Sequence, residues 1–357
     1  YVIDAPGHRQ FIAHTIGGAS LAEVAVLIVS ARRGEFEAGF QRDGQTREHI
    51  VLARTVGVQT LIIAVNKMDE ADWDKKRYDE IKSNIDPFLR SVGWKDSDCL
   101  WVPISGFTGD NLIEKTQNEK ASWYSGPPLL DILENLRPPE RLVNAPALMS
   151  IQDKYKAMGS TVVLGKIECG TINEGDELLI QPGRRPVEVV SIECDGPKVE
   201  IAEPGDQVKV SLHGIDDNDV RQGYCLCSRQ RPIHTTDHFQ AQFMIMECPN
   251  VISAGFQCVI HSLAAQEEAI MTKLLSIVDK SKKEISKAPA FAKAGQTIMC
   301  RFKLANEMCM EPFKANPQFA RFIVRSEGRT IGIGMVTAIT TRPSLLPIPP
   351  PTSSPTT

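Results

Sequence analysis

The first third of the chain contains short apolar runs that are rich in β-branched residues and are separated by polar segments. These runs cover residues 1–3, 24–29, 61–65 and 101–104. Their length and composition are typical of strands that are buried on both faces. Two of the intervening segments, residues 47–56 and 77–92, have the spacing of apolar residues expected of helices. Because strands and helices alternate, the sequence predicts an α/β domain built on a parallel sheet.

A polar motif follows directly on three of these four predicted strands. In chain order the motifs are Asp4-Ala5-Pro6-Gly7-His8, Asn66-Lys67-Met68-Asp69 and Ser105-Gly106-Phe107. Ligands of parallel α/β sheets bind beyond the carboxyl ends of the strands, which is where all three motifs fall. We therefore expect three separate loops to bind one ligand.

The second motif indicates which ligand this is. The Asp69 carboxylate can accept hydrogen bonds from both the ring N–H and the exocyclic amine of guanine, a donor pair that adenine does not offer. We expect Asn66 to hold its own loop to the others and the Lys67 stem to lie along the base plane. The backbone N–H groups of Ser105 and Gly106 are predicted to face the guanine carbonyl. An isolated Asn-Lys-x-Asp is a weak signal, but the three motifs in this order predict a guanine nucleotide site.

The sequence contains no phosphate-binding loop of the form Gly-x-x-x-x-Gly-Lys-Ser/Thr. Its nearest match ends in Gly165-Lys166-Ile167, but Ser160 stands at the position of the first glycine and Ile167 at that of the Mg²⁺-binding hydroxyl. We interpret this segment as part of a strand. We expect the chain to begin inside the nucleotide domain and the segment alone to be inactive in hydrolysis, because the groups that hold the β- and γ-phosphates are missing.

Composition restricts where the chain acts and what it binds. Its formal net charge is −4 and its pI is about 6.0, which argues against a broad nucleic-acid surface. Nine cysteines are scattered along the 357 residues without a Cys-x-x-Cys pair. This usage favours a reducing compartment, so we expect a cytoplasmic protein. No apolar run approaches the roughly 18 residues of a membrane span, and we expect no membrane partner.

The pattern changes after Pro138-Pro139 to short β-rich runs separated by turn residues. Strands of this length and spacing fit a small β-barrel or sandwich. We predict a partial GTP-binding domain at residues 1–142, which lacks the phosphate-binding loop, and β-barrel domains at residues 143–236 and 237–341. Residues 342–357 are rich in proline and threonine, which is typical of an unstructured tail.

A P-loop-type α/β nucleotide domain followed by two β-barrels resembles the translational GTPases. The segments at residues 4–8, 34–40 and 44–49 are similar to the elongation factor one-alpha branch. Within that branch, residues 16–20, 153–159, 161–166 and 288–293 most resemble the GTP-binding subunit of the eukaryotic peptide-chain release factor. The resemblance covers essentially residues 1–339.

This resemblance implies a GTPase that binds GTP or GDP with Mg²⁺ and assists the stop-codon-reading release factor on the ribosome. It assigns Asp4 to a Mg²⁺-bound water and the Gly7 backbone N–H to the γ-phosphate, an interaction that hydrolysis of the nucleotide would break. His8 would orient the attacking water as the catalytic residue. The base-binding set would comprise Asn66, Lys67, Asp69, Ser105, Gly106 and Phe107.

The resemblance also implies a partner contact in the last β-domain. The family's Gly-Arg-Phe-x-x-Arg stretch appears as residues 320–325, with Ala320 in place of the glycine. Arg321, Phe322 and Arg325 would bind the stop-codon-reading factor. Strand alternation places Arg321 and Arg325 on one face and Phe322 on the other. The alternative interpretation is an ordinary barrel strand with a solvated basic face.

Two function classes remain open on the sequence alone. The first is an enzyme, either the termination GTPase or a ribosome-rescue GTPase that partners Pelota. The second is a truncated binding module that docks partners through its β-domains without hydrolysing GTP.

Overall fold

The structure of the chain is a computed structural model. The structure describes residues 2–4, 22–41, 44–137, 141–157, 159–246, 248, 250–279 and 284–339. Within these ranges none of the helices combines the length and the apolar character needed to span a bilayer.

The first domain contains a parallel sheet of three strands in the order β1-β2-β3, which confirms the predicted α/β architecture. The strands are β1 (Val24–Ser30), β2 (Thr60–Asn66) and β3 (Cys99–Pro103). The central strand β2 is buried along its interior, as its apolar sequence predicts. The register pairs Ser30 with Asn66 and Val65 with Pro103, so the segments that follow all three strands leave the same edge of the sheet.

Among the residues that the structure describes, four α-helices accompany the sheet: α1 (Glu35–Phe40), α2 (Gln45–Val56), α3 (Lys75–Val92) and α4 (Leu129–Glu134). The Asp74 side chain caps α3 by accepting a hydrogen bond from the Lys76 N–H. Helices α2 and α3 end at Gly57 and Gly93, whose φ angles of 100° and 96° are left-handed. Glycine adopts this conformation without a Cβ clash, so both helices end where the sequence predicts.

The first apolar run does not form the predicted strand. Residues 2–4 have no regular secondary structure and are exposed, and residue 1 lies outside the described residues. An apolar run becomes a strand only when a neighbouring strand completes its hydrogen bonds. The described sheet therefore has three of the four predicted strands, and two of the three motifs follow directly on one of them.

The middle of the chain forms a closed antiparallel barrel of six strands. Its strands are β4 (Leu148–Ala157), β5 (Ser160–Cys169), β7 (Glu177–Gln181), β8 (Arg185–Cys194), β11 (Gln207–His213) and β12 (Cys225–Ser228). The ring runs β11-β5-β4-β12-β7-β8 and closes through the pairing of β8 with β11. Three two-residue strands lie outside the ring: β6 (Ile172–Asn173), β9 (Lys198–Val199) and β10 (Ile201–Ala202).

The last part of the described chain forms a second closed barrel of six strands. Its strands are β13 (Thr235–Ile245), β15 (Gln257–Ser262), β16 (Ala265–Val278), β19 (Thr297–Cys309), β20 (Arg321–Ser326) and β21 (Arg329–Ile339). The ring runs β15-β20-β21-β13-β19-β16 and closes through the pairing of β15 with β16. Three short strands accompany it: β14 (Ile252–Ser253), β17 (Glu284–Lys287) and β18 (Phe291–Ala292). Both predicted barrels are thus confirmed.

Candidate nucleotide-binding site

Asn66 joins the loops that follow β2 and β3. It is the last residue of β2, and its side-chain oxygen Oδ1 accepts hydrogen bonds from the Lys67 N–H at 2.7 Å and the Gly106 N–H at 2.8 Å. The second bond spans 40 residues of sequence. Just beyond the ends of the two strands, the Met68 N–H donates to the Ile104 carbonyl at 3.2 Å. The predicted role of Asn66, holding one loop to another, is what these contacts do.

The Asp69 carboxylate is held from the neighbouring loop by Ser105. The Ser105 hydroxyl donates to Asp69 Oδ1 at 2.5 Å and accepts from the Thr108 N–H at 3.2 Å. Ser105 is completely buried, whereas Asp69 is partly exposed. Among the described residues no donor reaches the other carboxylate oxygen, Oδ2. The carboxylate is therefore oriented by the protein while keeping acceptor capacity for a ligand.

The two backbone N–H groups after β3 that were predicted to face the guanine carbonyl have acceptors within the protein. The Ser105 N–H donates to the Asp110 carbonyl at 3.1 Å, and the Gly106 N–H donates to Asn66. Both groups thus have protein acceptors among the described residues, and their contact with a base carbonyl stays a prediction. Backbone donors that leave a strand need acceptors, and here one acceptor lies within the turn after β3 and the other at the end of β2.

Lys67 and two neighbours not predicted from the sequence form one cluster at the same edge. The Lys67 ammonium contacts Glu35 Oε2 at 2.7 Å, and the same oxygen accepts from the Ser30 hydroxyl at 2.8 Å. The hydrogen bond from Lys67 is the largest of the effects that lower the pKa of Glu35. Glu35 begins α1, 32 residues before Lys67. No spacing rule connects such distant positions, so only the fold reveals the pair.

The remaining predicted nucleotide residues are less completely described. Phe107 follows the turn and is 93% exposed, so its ring is free to cover a bound base. Asp4 is exposed, and Gly7 and His8 lie outside the described residues. Within the described ranges no group of three or more potential metal ligands is assembled.

Comparison with known proteins agrees with this arrangement of a nucleotide domain and two barrels. Residues 1–142 match the Elongation factor Tu GTP binding domain. Residues 160–227 match Elongation factor Tu domain 2, and residues 238–337 match the GTP-eEF1A C-terminal domain-like family. The three matches follow the order of the observed domains.

Individual relatives show which family of translation factors the chain belongs to. The chain is 40% identical over 343 residues to the eukaryotic peptide chain release factor GTP-binding subunit of Kluyveromyces lactis, covering 95% of this chain and 49% of that protein. Among solved structures it matches the crystal structure of sup35 complexed with GDP, with 40% sequence identity and a TM-score of 0.54. The match covers 91% of this chain and 81% of that one. The chain belongs to the release factor GTP-binding subunit family.

A second member of this family, from Schizosaccharomyces pombe, is 42% identical over 344 residues, which cover 95% of this chain and 52% of that protein. The chain thus spans about half the length of the curated release factor subunits it matches.

Strand β20, which was predicted to bind the stop-codon-reading factor, is packed between the second barrel and the nucleotide domain. Phe322 is completely buried and its ring meets Phe239 and Phe302 edge-on, at centroid distances of 5.4 and 5.8 Å. Its predicted direct contact with a partner is therefore wrong, because the ring belongs to the barrel core. The predicted alternation of faces is confirmed, since Arg321 and Arg325 lie on the opposite side of the strand.

Most of this basic face of β20 is covered, because Arg325 is buried and Arg321 is only partly exposed, and this corrects the alternative interpretation of a solvated face. Ile323, between the two arginines, belongs to the apolar core of the nucleotide domain and is 2% exposed. Helix α2 lies against β20, and Glu48 on that helix accepts from the Thr330 hydroxyl at 2.9 Å. The nucleotide domain therefore covers most of the face of β20 that carries Arg321 and Arg325.

The charges at this interface are partly desolvated. Burial lowers the pKa of Arg321, and the nearby Arg54 lowers it further. Burial also lowers the pKa of Arg325, while Glu48 opposes the shift. Arg325 Nη2 donates to the Gly328 carbonyl at 2.8 Å, and Nη1 is buried without a partner among the described residues. Arg325 thus serves the domain interface, whereas Arg321 keeps partial exposure.

Proposed function

We propose that this chain is the nucleotide-binding and partner-binding part of a GTPase of translation termination. In this proposal it binds GTP or GDP and assists the stop-codon-reading release factor on cytoplasmic ribosomes. The observation that carries the proposal is the Asp69 carboxylate, oriented by buried Ser105 between loops that Asn66 joins. Membership of the release factor subunit family supports the same function.

Base selection follows from the chemistry of Asp69. An oriented carboxylate accepts the two adjacent donors of guanine, whereas adenine would leave polar groups unpaired. Sites of this kind reject the wrong ligand by roughly 10⁴-fold or more. The Lys67 stem would lie along the base plane and Phe107 would cover its exposed edge.

The phosphate end of the site is proposed from the first motif. Asp4 would hold a Mg²⁺-bound water, the Gly7 N–H would meet the γ-phosphate, and His8 would orient the attacking water. When bound, Mg²⁺ neutralises charge on the phosphate oxygens. Of these three residues, the described ranges include Asp4.

Hydrolysis is tested by His8→Ala in the full-length protein. We expect GTP to bind as in the parent while ribosome-stimulated hydrolysis falls by at least tenfold, because the water loses its orienting group. His213→Ala is the matched control, since His213 is an exposed barrel histidine far from the motifs in sequence. Equal hydrolysis rates in the two variants would remove His8 from the catalytic role.

Partner choice is tested by pull-down against the stop-codon-reading factor and Pelota. The relatives at 40% and 42% identity support the first partner. We propose partly exposed Arg321 as the direct contact, so Arg321→Ala should weaken capture of the release factor. Arg301→Ala, an exposed arginine on the same barrel, should not. Preferential capture of Pelota would reverse the choice of partner.

A further inference from the structure

The conformation of Lys67 needs support from outside its own loop. Its φ angle is 62°, in the left-handed region that side chains with a Cβ rarely adopt. The backbone is held there by the hydrogen bond from the Lys67 N–H to Asn66 Oδ1 at 2.7 Å. That bond fixes where the side chain begins, but it does not fix the four-carbon stem. A free lysine stem loses considerable rotamer entropy when a ligand orders it.

Glu35 supplies the missing restraint at the far end of the stem. Glu35 Oε2 accepts from the Lys67 ammonium at 2.7 Å and from the Ser30 hydroxyl at 2.8 Å. Its other oxygen, Oε1, lies 3.3 Å from Arg32 Nη1. Ser30 ends β1 and Glu35 begins α1, so the carboxylate is itself held by the scaffold at both sides.

We propose that Glu35 is a positioning residue of the guanine site, which keeps the Lys67 stem extended before the nucleotide arrives. The inference rests on the proposed function, because it needs a base beside Lys67. With the backbone fixed by Asn66 and the ammonium fixed by Glu35, both ends of the stem are tied. The base then meets a preformed apolar edge and orders less of the protein on binding.

An ordinary surface ion pair is the competing explanation. The two side chains are 38% and 41% exposed, and exposed pairs contribute little to stability. The geometry differs from an ordinary pair in two respects. Glu35 has three partners, and its cation belongs to the segment that contains Asp69. A positioning role therefore predicts an effect on nucleotide affinity that exceeds the effect on folding.

The test compares Glu35→Gln with Glu80→Gln in the full-length protein. Glu80 also forms a salt bridge, to Arg77 at 2.9 Å on α3, but it has no contact with the Asn66–Asp69 loop. We expect Glu35→Gln to weaken GDP and GTP binding equally, by about two- to fivefold, the range of an exposed charge pair. Equal losses are expected because the contact is at the base end. Glu80→Gln should bind like the parent, and the unfolding transitions of the two variants should agree.

A double-mutant cycle with Lys67→Met separates positioning from a structural role. If Glu35 acts through Lys67, Glu35→Gln causes no further loss of affinity in the Lys67→Met background. The same loss in both backgrounds overturns the inference, as does equal affinity of Glu35→Gln and Glu80→Gln. A parent protein without guanine preference would overturn the proposed function itself. A guanine-selective parent with an unaffected Glu35→Gln variant overturns this inference alone.

Discussion

Replacing Asn66 by alanine should loosen the nucleotide site and measurably destabilise the domain. The alanine removes one acceptor that receives two backbone donors, the Lys67 N–H at 2.7 Å and the Gly106 N–H at 2.8 Å. Each such hydrogen bond contributes about 0.5–1.5 kcal/mol net. Gly106 is exposed, so water can replace the missing acceptor, whereas Lys67 is partly buried. We therefore expect the free energy of unfolding to fall by about 1–2 kcal/mol.

The matched variant is Asn66→Asp, which keeps an oxygen acceptor for both donors. Chemical denaturation of the parent and the two variants should place Asn66→Asp within about 0.5 kcal/mol of the parent, the usual size of a surface substitution. Stability is the quantity compared, because the new charge close to Asp69 also changes nucleotide affinity.

Two results would refute this reasoning. One is an Asn66→Ala variant as stable as the parent, which would mean that the two bonds contribute nothing. The other is equal destabilisation by alanine and aspartate, which would mean that removal of the amide group, and not removal of the acceptor, matters. The Asn66→Ala variant should also bind guanine nucleotides more weakly, since the loop bearing Gly106 would no longer be aligned with Asp69.

Two further outcomes are expected. Phe322→Ala should lower the free energy of unfolding by about 3–5 kcal/mol, because it leaves a cavity in the core of the second barrel. A variant that binds its partner poorly but is as stable as the parent would show that the ring is surface-exposed. Burial raises the pKa of Glu168 from 4.5 to about 7, with Glu23 adding to the shift and Lys166 opposing it. The folded state thus favours the protonated acid. That stabilisation is complete below about pH 4.5 and lost as the pH rises to about 7, at about 1.4 kcal/mol per unit of pKa shift. Chemical denaturation should show that the free energy of unfolding changes less between pH 5 and pH 7.5 in Glu168→Gln than in the parent. Equal changes in the two proteins would contradict the raised pKa of Glu168.

The parts of the fold that depend on local pattern could be predicted from the sequence. Residues 61–65 are apolar without interruption, so a strand buried on both faces was expected and β2 is one. Its end at Asn66 placed the second motif at the edge of the sheet. The alternation in residues 321–325 likewise predicted that Phe322 would lie on the face opposite Arg321 and Arg325, and its ring lies in the barrel core.

The parts that depend on distant contacts could not be predicted. Alternation says that Arg321 and Arg325 share a face, but it does not say that α2 covers that face. The pairing of Glu35 with Lys67 spans 32 residues and requires β1 and β2 to be adjacent. The partners of the Ser105 and Gly106 N–H groups, the Asp110 carbonyl and Asn66 Oδ1, also depend on the fold: one is set by the turn after β3 and the other by the adjacency of β2 and β3.

The family-level resemblance identified the two barrels, but it placed Phe322 at a partner surface that the packing excludes. A motif names residue types and their order, while burial depends on which elements pack against them. The site residues that were correctly brought together, Asn66, Asp69 and Ser105, are those whose roles follow from hydrogen-bonding chemistry at the ends of adjacent strands.

Base preference of the Asp69→Asn variant tests the central claim most directly. Competition between guanine and xanthine nucleotides for the full-length protein should show guanine preferred by the parent. The variant should shift toward xanthine, because an amide can donate where xanthine presents a carbonyl. A variant that keeps the parent's preference for guanine would contradict the assignment of Asp69 and the nucleotide site built around it.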